Sequence, residues 1–438
     1  AGRRFFEVVR HPAVSRYNQC LCTALIDYRY GFMDGIDRLG KKLTVNYSVI
    51  QAVSVAGYCC VFSFAPVFLL ARGFTNSLLG ITFTVANIFG LMFGPLVAAF
   101  ADRTRKYSVR TLAAVMFALC ALFSTILLLL PPLVLPTAVV FILLLGFFTT
   151  EVSLVTSMAM EHINRGVPIN YSLARGIGSF VYASLSLLMG FLVQRFGPSI
   201  IMIINVGLGL VGMVLVFTFR KAVKPAAAEG ADEPKAAGLV EFARKNKRFM
   251  AVVAGGALLF FSHIVINTYT IQVIRHVGGN STHLGIAIAI AGFLELPAMA
   301  LFPWFHRKVR SPGAILKLSG VFVVLKAVLT LLAPNVLWIY IAQSLQFFAY
   351  ALFLPASVYY VNRVIGDVDK VKGQTIMAMS MGISGIIGNF AGGFMLDLRG
   401  VPFMLTAGIL VSAAGLALLL AVVKRSGNQP ALEMHETE

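Results

Sequence analysis

The feature that most constrains this chain is a series of long apolar stretches, each long enough to cross a lipid bilayer as a helix. An α-helix needs about 20 apolar residues to cross the hydrocarbon core, and inside lipid it satisfies its own backbone hydrogen bonds. Twelve stretches meet this length, at 44–70, 78–101, 111–130, 137–160, 171–193, 198–219, 249–275, 283–304, 313–333, 336–360, 375–396 and 402–424. The sequence therefore predicts an all-α polytopic membrane protein with twelve transmembrane helices.

Positive charge is distributed unevenly between the two sides of the predicted membrane. The formal net charge of +18 would by itself suggest a nucleic-acid partner. With the spans above, however, 29 of the 36 Lys and Arg residues fall on one side and 4 on the other. This is the positive-inside bias, which sets orientation and requires no polyanion. We expect a multi-pass protein of the cell (inner) membrane with both termini in the cytoplasm and no nucleic-acid partner.

The two halves of the chain resemble each other, which predicts two six-helix pseudo-repeats. GFLVQRFG at 190–197 matches GFMLDLRG at 393–400 in frame, and each joins the fifth and sixth span of its half. Two such repeats around a linker are the plan of many secondary transporters. The predicted domains are a basic cytoplasmic tail (1–43), an N-terminal six-helix bundle (44–219), a cytoplasmic linker (220–248), a C-terminal six-helix bundle (249–424) and a cytoplasmic tail (425–438).

Recognisable motifs of catalysis and metal binding are missing from the sequence. No Walker A sequence occurs, so any active transport would run on an ion gradient. GISGIIGNFAGG at 382–393 resembles the serine motif of rhomboid proteases, but such a serine needs a later histidine and only His435 of the tail follows. The five cysteines form no CxxC pair. We expect no enzyme activity, no metal and no cofactor, only a proton gradient.

One motif resembles the signature of a transporter family. GPLVAAFADRTRKYSVR at 94–110 follows the second span and resembles the major facilitator superfamily signature between helices 2 and 3. In that family the aspartate pairs across a cytoplasmic gate between the halves, so the resemblance implies gating by Asp102 and Arg103. The alternative from the residues alone is a turn whose charges set the topology.

Two further stretches resemble the lactose permease-like branch of that superfamily, which includes nucleoside and phenylpropionate symporters. NYSLARGIGSFVYA at 170–183 is similar to its Tyr-x-x-Ala-Arg-x-x-Gly pattern, whose arginine binds substrate; here that residue is Arg175. GFLELPAMALFPW at 292–304 is similar to helix 8 of the branch, which implies that Glu295 is the proton-coupling carboxylate. The alternative for Arg175 is a side chain that extends to the membrane interface.

Glu151 is the carboxylate of the fourth predicted span, where a charge costs a few kcal/mol. It lies roughly 15 Å from the cytoplasmic end at 1.5 Å per residue. Arg175, near the start of the neighbouring antiparallel span, would reach toward it, although Glu161 is an easier partner for that arginine. We expect Glu151 to face an aqueous path and to bind solute or proton.

Two charged residues of the second half are candidates for a pair or for contact with internal water. Glu295 and Lys326 fall near the middle of adjacent antiparallel spans, where charges are tolerated if they pair or face water. His263 and Asn267 share one face of the seventh span at a spacing of four residues. His263 is either a packing residue or, beside Glu295, part of a proton relay.

Polar stripes follow single faces of two spans. Their members are Tyr47, Gln51, Ser54 and Tyr58 in the first span and Gln343, Gln346 and Tyr350 in the tenth. The stripes either line a cavity or form hydrogen bonds between helices. In the family that the motifs resemble, helices 1, 4, 7 and 10 line the cavity. Amide and phenol groups beside few charges suit a neutral, hydroxyl-rich solute.

Residues and resemblances together predict a secondary active transporter, a proton-coupled symporter of a sugar, oligosaccharide or nucleoside that works by alternating access. Arg175 would anchor the substrate and Glu295 would take the proton, with Lys326 and His263 adjusting its proton affinity. The predicted substrate-binding residues are Arg175, Glu151, Tyr47, Gln51, Tyr58, Asn267, Gln343 and Gln346. The expected partners are a small-molecule solute and the lipid bilayer, with the chain as a monomer.

Two alternatives stay open. The first is proton-driven efflux of drugs or metabolites by the same fold, which aromatic cavity walls with few fixed polar groups would favour. The second is a non-transporting sensor or an intramembrane enzyme. A sensor would carry a sizeable soluble output domain, for which the predicted spans leave little of the chain.

Overall fold

The computed structural model describes residues 39–103, 107–220, 239–309, 311–366 and 369–423. Every regular element in these ranges is helical, which confirms the predicted all-α polytopic fold. Most of the predicted tails and linker lies outside the described residues, so the domain boundaries stay predictions.

The helices are labelled α1 to α15 in chain order. In the first half they are α1 (Leu39–Ser63), α2 (Ala65–Ala71), α3 (Asn76–Arg103), α4 (Val109–Leu129), α5 (Val134–Ile163), α6 (Tyr171–Phe196) and α7 (Ile200–Thr218). In the second half they are α8 (Leu239–Lys245), α9 (Lys247–Thr268), α10 (Thr270–His276), α11 (Ser281–Val309), α12 (Pro312–Leu331), α13 (Val336–Ser344), α14 (Tyr350–Val364) and α15 (Lys370–Val422). Side chains satisfy the free N–H groups where several of them begin, as Ser108 does for α4.

Within the described ranges, 11 helical segments are long and apolar enough to span a membrane. The last, α15, has 53 residues, far more than a hydrocarbon core about 30 Å thick requires at 1.5 Å per residue. Its geometry is interrupted at Arg399 and Gly400, and the φ of +75° at Gly400 is a left-handed conformation that favours glycine. The count of twelve spans, which requires the two parts of α15 to be counted separately, stays a prediction, as do the pseudo-repeats.

The buried apolar residues show where the two halves of the chain meet. One cluster contains residues of both halves, among them Cys59, Phe141 and Tyr269. A second cluster contains residues of the second half alone, such as Phe260, and a third contains residues of the first half alone, such as Phe117. The halves therefore share a core at the end where α3 begins and have separate cores at the other end.

Glycines allow α3 and α15 to touch at the end where α3 begins. A Cβ atom added at Gly80 would collide with the backbone of Asn389, and one added at Gly393 would collide with the backbone of Asn76. Farther along, the two helices separate, because a Cβ atom added at Gly382, which shares the helix face of Gly393, would have no neighbour within 4 Å. The halves are thus closed at this end, and a cleft between them widens toward the end of α3.

Candidate functional site

Three of the membrane helices are interrupted near the middle of the bundle. α1 finishes in a π-helical turn directly after Tyr58, and α9 ends one residue after Asn267. A 3-10 turn that contains Gln346 separates α13 from α14. Irregular backbone at membrane depth occurs where protein buries it or where it lines a cavity, and π turns within helices are frequent at functional sites. Three predicted binding residues, Tyr58, Asn267 and Gln346, therefore lie at or beside interrupted backbone.

A buried cation is linked to a carboxylate through an amide. The Lys326 side chain is only 2% exposed, and its ammonium donates to Oε1 of Gln346 at 2.8 Å. The amide nitrogen of Gln346 donates in turn to Oε1 of Glu295 at 3.1 Å. An isolated charge at this depth would be costly, and the two bonds connect opposite charges. The structure thus brings the predicted pair together through Gln346 and not through a direct ion pair.

His263 is held in one orientation by two neighbours. Its Nε2 accepts a hydrogen bond from the amide nitrogen of Asn267 at 2.9 Å, and its ring stacks on Tyr350 with centroids 5.0 Å apart. Its Nδ1 is buried without a hydrogen-bond partner. The ring is also within electrostatic range of Lys326. His263 therefore lies beside the Lys326–Gln346–Glu295 chain and has no direct bond to it.

Arg175 lies in the cleft between the halves. Its side chain is exposed, and its guanidinium is within electrostatic range of Tyr47 in the first half and of Glu295 and Tyr350 in the second. A side chain that extended to the membrane interface would not face polar groups of both halves. The placement therefore favours the cavity-facing alternative for Arg175.

Aromatic side chains form part of the cleft wall. Tyr58 lies deep among the helices, yet 42% of its surface is accessible, so it faces an open internal space. Its ring stacks on Phe62 with centroids 4.5 Å apart. Tyr182 of α6 meets the Tyr58 ring edge-on at 5.9 Å and is within electrostatic range of Glu295. Sequence reasoning missed Tyr182, although its position seven residues after Arg175 places both on one face of α6.

Glu151 lies inside the first half and not in the cleft. It is 1% exposed, and its carboxyl lies beside the Ser54 hydroxyl of α1 and within electrostatic range of Cys120 of α4. Neither its Oε1 nor the Ser54 Oγ has a hydrogen-bond partner of good geometry. The structure shows neither the expected contact with Arg175 nor an aqueous path to Glu151, because the carboxyl faces α1 and α4.

The other predicted binding residues are buried in this conformation. Tyr47 donates its hydroxyl to Oε1 of Gln51 at 3.1 Å, and its ring stacks on Tyr171 with centroids 6.1 Å apart. The Tyr47 hydroxyl and the Gln51 amide oxygen are therefore hydrogen-bonded to each other within the first half. Gln343 of α13 is also buried, one turn before Gln346. The first polar stripe thus reaches the cleft at Tyr58, and the second joins the charged chain at Gln346.

The two ends of α3 differ in what the structure describes. The predicted gate residues Asp102 and Arg103 end this helix, but their side chains lie outside the described part of the chain, so their gating role stays a prediction. At the opposite end, Asp397 accepts hydrogen bonds from the backbone N–H groups of Asn76 and Ser77. Prediction from the sequence used GFMLDLRG only as a repeat. An acid near the carboxyl end of a helix, where the dipole disfavours negative charge, indicated that Asp397 has a partner but not which one.

Comparisons with known sequences agree with this architecture. The MFS_1 like family matches residues 45–407 of the chain. A curated relative, the uncharacterized transporter YwbF of Bacillus subtilis (strain 168), is 29% identical over 192 residues, which are 43% of this chain. The match spans about half of that relative, 47% of its length.

Solved structures of transporters share the fold. The nucleoside transporter NupG is similar with a TM-score of 0.72 at 14% identity, over 87% of this chain and 98% of NupG. A bacterial homologue of the iron transporter ferroportin in an inward-facing state is similar with a TM-score of 0.66 at 13% identity, over 88% and 99% of the two chains. At such identities the likeness shows the fold alone. The family match over most of the chain, together with this fold, shows that the protein belongs to the MFS_1 like family and is a transporter of the major facilitator type, not an enzyme.

Proposed function

We propose that this transporter is a proton-coupled symporter of a small, uncharged, hydroxyl-rich solute, with nucleosides as the first candidates and sugars as the second. The observation that carries the proposal is the Lys326–Gln346–Glu295 chain, which ends in the cleft between the halves. Charged residues within membrane spans face internal water, pair with each other and mark ion pathways. A carboxylate at the cleft with a buried cation behind it has the chemistry of a proton-coupling site.

Glu295 would couple proton binding to the movement of the halves. Its carboxyl is half-buried, whereas Lys326 behind it is buried. A proton on Glu295 removes the negative charge that Lys326 faces through Gln346, so the charge balance of the site changes with protonation. If one facing state tolerates the unbalanced charge better than the other, proton binding shifts the equilibrium between the states by that difference.

The cleft would recognise the solute through polar donors and an aromatic face. Arg175 and Asn267 are exposed there and carry N–H donors that suit hydroxyl oxygens. The accessible ring of Tyr58 suits a flat base, since nucleobases stack on aromatic side chains. A sugar would accept hydrogen bonds from the same donors and would stack on the Tyr58 ring more weakly. The fold likeness to a nucleoside transporter supports testing nucleosides first.

The test is solute-driven alkalinisation of a weakly buffered suspension of cells that express the transporter. A panel of nucleosides and sugars is added one at a time, and the pH of the medium is recorded with radiolabelled uptake. An importing symporter removes protons from the medium together with its true solute. The Glu295→Gln variant should abolish this proton movement, because an amide cannot carry the proton.

Glu241→Gln is the matched control, because Glu241 lies exposed on α8 outside the spans. This variant should alkalinise the medium as the unmodified protein does. Proton movement that persists in Glu295→Gln would remove Glu295 from the role. Transport of carboxylate solutes alone would contradict an uncharged substrate, and accumulation that falls on expression and recovers with a protonophore would establish efflux.

A further inference from the structure

We propose that Asp397 is a latch that holds the two halves together at the end where α3 begins and must release for that end to open. The positive-inside rule assigns this end to the outside of the cell, so the latch would close the extracellular gate. The inference rests on the alternation of the halves that the proposed function assumes, and it requires neither the proposed solute nor the proton.

The Asp397 carboxylate caps the first turn of α3. Its Oδ1 accepts from the backbone N–H of Asn76 at 3.2 Å and from the side-chain amide of Asn76 at 2.7 Å, and its Oδ2 accepts from the N–H of Ser77 at 2.6 Å. The first N–H groups of a helix have no partner within it and form the positive end of its dipole. A carboxylate from α15, 321 residues along the chain, therefore satisfies α3 of the other half.

The latch is part of a wider contact between the halves. The Gln272 amide of α10 donates to Oδ1 of Asn76 at 2.9 Å, so residues of the second half hold Asn76 from two sides. The Tyr269 hydroxyl donates to the carbonyl of Asn389 at 2.6 Å and fixes α15 beside this contact. The second half therefore binds the first half through hydrogen bonds to Asn76.

The geometry of α3 and α15 shows that the contact belongs to one conformation. The backbones touch at Gly80 and Gly393, whereas a Cβ added at Gly382, on the same face of α15, would meet no atom within 4 Å, so the two helices diverge from the latch toward the cleft. Alternating access requires the cleft to close and the opposite end to open. Opening at this end separates Asn76 from Asp397, since both lie at the point of closest approach.

A second contact between the halves joins α6 and α11. Gly190 of α6 and Gly285 of α11 also meet closely, with an added Cβ at Gly190 only 2.9 Å from the Cα of Gly285. The residue of α6 that matches Asp397 in the repeat is Gln194, which is exposed and uncharged. A carboxylate therefore lies at the contact between α3 and α15 but not at the matching position of the contact between α6 and α11. Its removal should weaken the α3–α15 contact selectively.

The experiment measures distances between spin labels by double electron–electron resonance in a cysteine-free background. One pair, at Ser199 and Leu332, reports the latch end, and another, at Val45 and Val371, reports the cleft end; all four positions are exposed. Asp397→Asn should lengthen the first distance and shorten the second. Charge-assisted hydrogen bonds are about twice as strong as neutral ones, so we expect the open population at the latch end to rise about tenfold.

Asp369→Asn is the matched control, because Asp369, directly before α15, pairs with Lys372 of that helix at 3.2 Å and lies far from the latch. It should leave the distance at the latch end unchanged. Asn76→Asp provides an independent variant, in which two facing carboxylates should open the latch end further, and adding Asp397→Asn to it should restore closure. If Asp397→Asn or Asn76→Asp folds and keeps the unmodified distance distribution, the latch is refuted. Because the readout needs no solute and no proton flux, this result would leave the proposed symport untouched, and loss of the symport proposal would leave the latch untouched.

Discussion

Lys326 of α12 donates to Gln346 at 2.8 Å, and through this amide a buried cation reaches Glu295 of α11. The amide turns its oxygen toward the cation and its nitrogen toward the carboxylate, so both charges depend on one neutral side chain. Buried polar networks stabilise a protein only when every member is satisfied. Removal of one member should therefore affect the other two.

Lys326→Met should destabilise the protein by about 3 kcal/mol, because it leaves the Glu295 charge without its cation. Adding Glu295→Gln should recover most of that loss, since no charge then remains unpaired. Thermal unfolding in detergent measures both effects. Lys317→Met is the control, because Lys317 lies on the same helix and is half-buried. A double variant no more stable than Lys326→Met would contradict a linked pair.

Arg175→Gln should lower the kcat/KM of solute uptake by about 10- to 100-fold, because hydrogen bonds from a charged donor contribute about 1.5–3 kcal/mol. The loss should fall mainly on KM if the guanidinium binds solute equally in both facing states. Arg195→Gln removes the same group from the far end of α6, where the guanidinium lies over the Phe196 ring at 5.7 Å. Equal losses in the two variants would argue against solute binding by Arg175.

Glu151→Gln should fold normally and keep transport, with a change in the free energy of unfolding within about 1 kcal/mol. The carboxyl is buried beside Ser54 and faces no basic side chain that the structure describes, so a neutral amide of the same shape leaves no cation unpaired. Glu151→Lys should be severely destabilising, because it buries a cation at the same place. Thermal unfolding and uptake by the same preparations test both. A stable Glu151→Gln protein without transport would return Glu151 to the path of solute or proton.

Prediction from the sequence succeeded where the depth of a residue in the membrane and the order of the helices determine which residues lie close together. Glu295 and Lys326 lie at similar depth on neighbouring antiparallel spans, and this sufficed to predict that they lie in one region, although not that Gln346 links them. The spacing of His263 and Asn267 likewise predicted that they share a helix face, and the structure shows them in hydrogen-bond contact. The long apolar stretches predicted the membrane fold for the same reason, since hydrocarbon leaves a spanning helix few alternatives.

Prediction from the sequence failed where rotation about a helix axis or a local interruption decides the contact. The periodicity of the fourth span does not say which neighbour Glu151 faces, and the structure turns it toward α1 and α4 and away from Arg175. Gln346, which bridges two charges, lies in a 3-10 turn, and an apolar pattern carries no sign of that turn. Asp397 acts across 321 residues of sequence, a distance at which one sequence gives no pairing signal.

The glycines of α15 provide a paired prediction about the closed end of the transporter. Gly393→Ala should destabilise this conformation by about 1–3 kcal/mol, because the added Cβ collides with the backbone of Asn76 and helices α3 and α15 must move apart. Gly382→Ala should instead stabilise the protein by about 0.5–1 kcal/mol, because alanine favours helix over glycine and its Cβ meets no neighbour within 4 Å. Melting temperatures in detergent should therefore shift in opposite directions for the same chemical change on one helix. Equal shifts would mean that α3 and α15 do not touch at Gly393 in the membrane protein as purified.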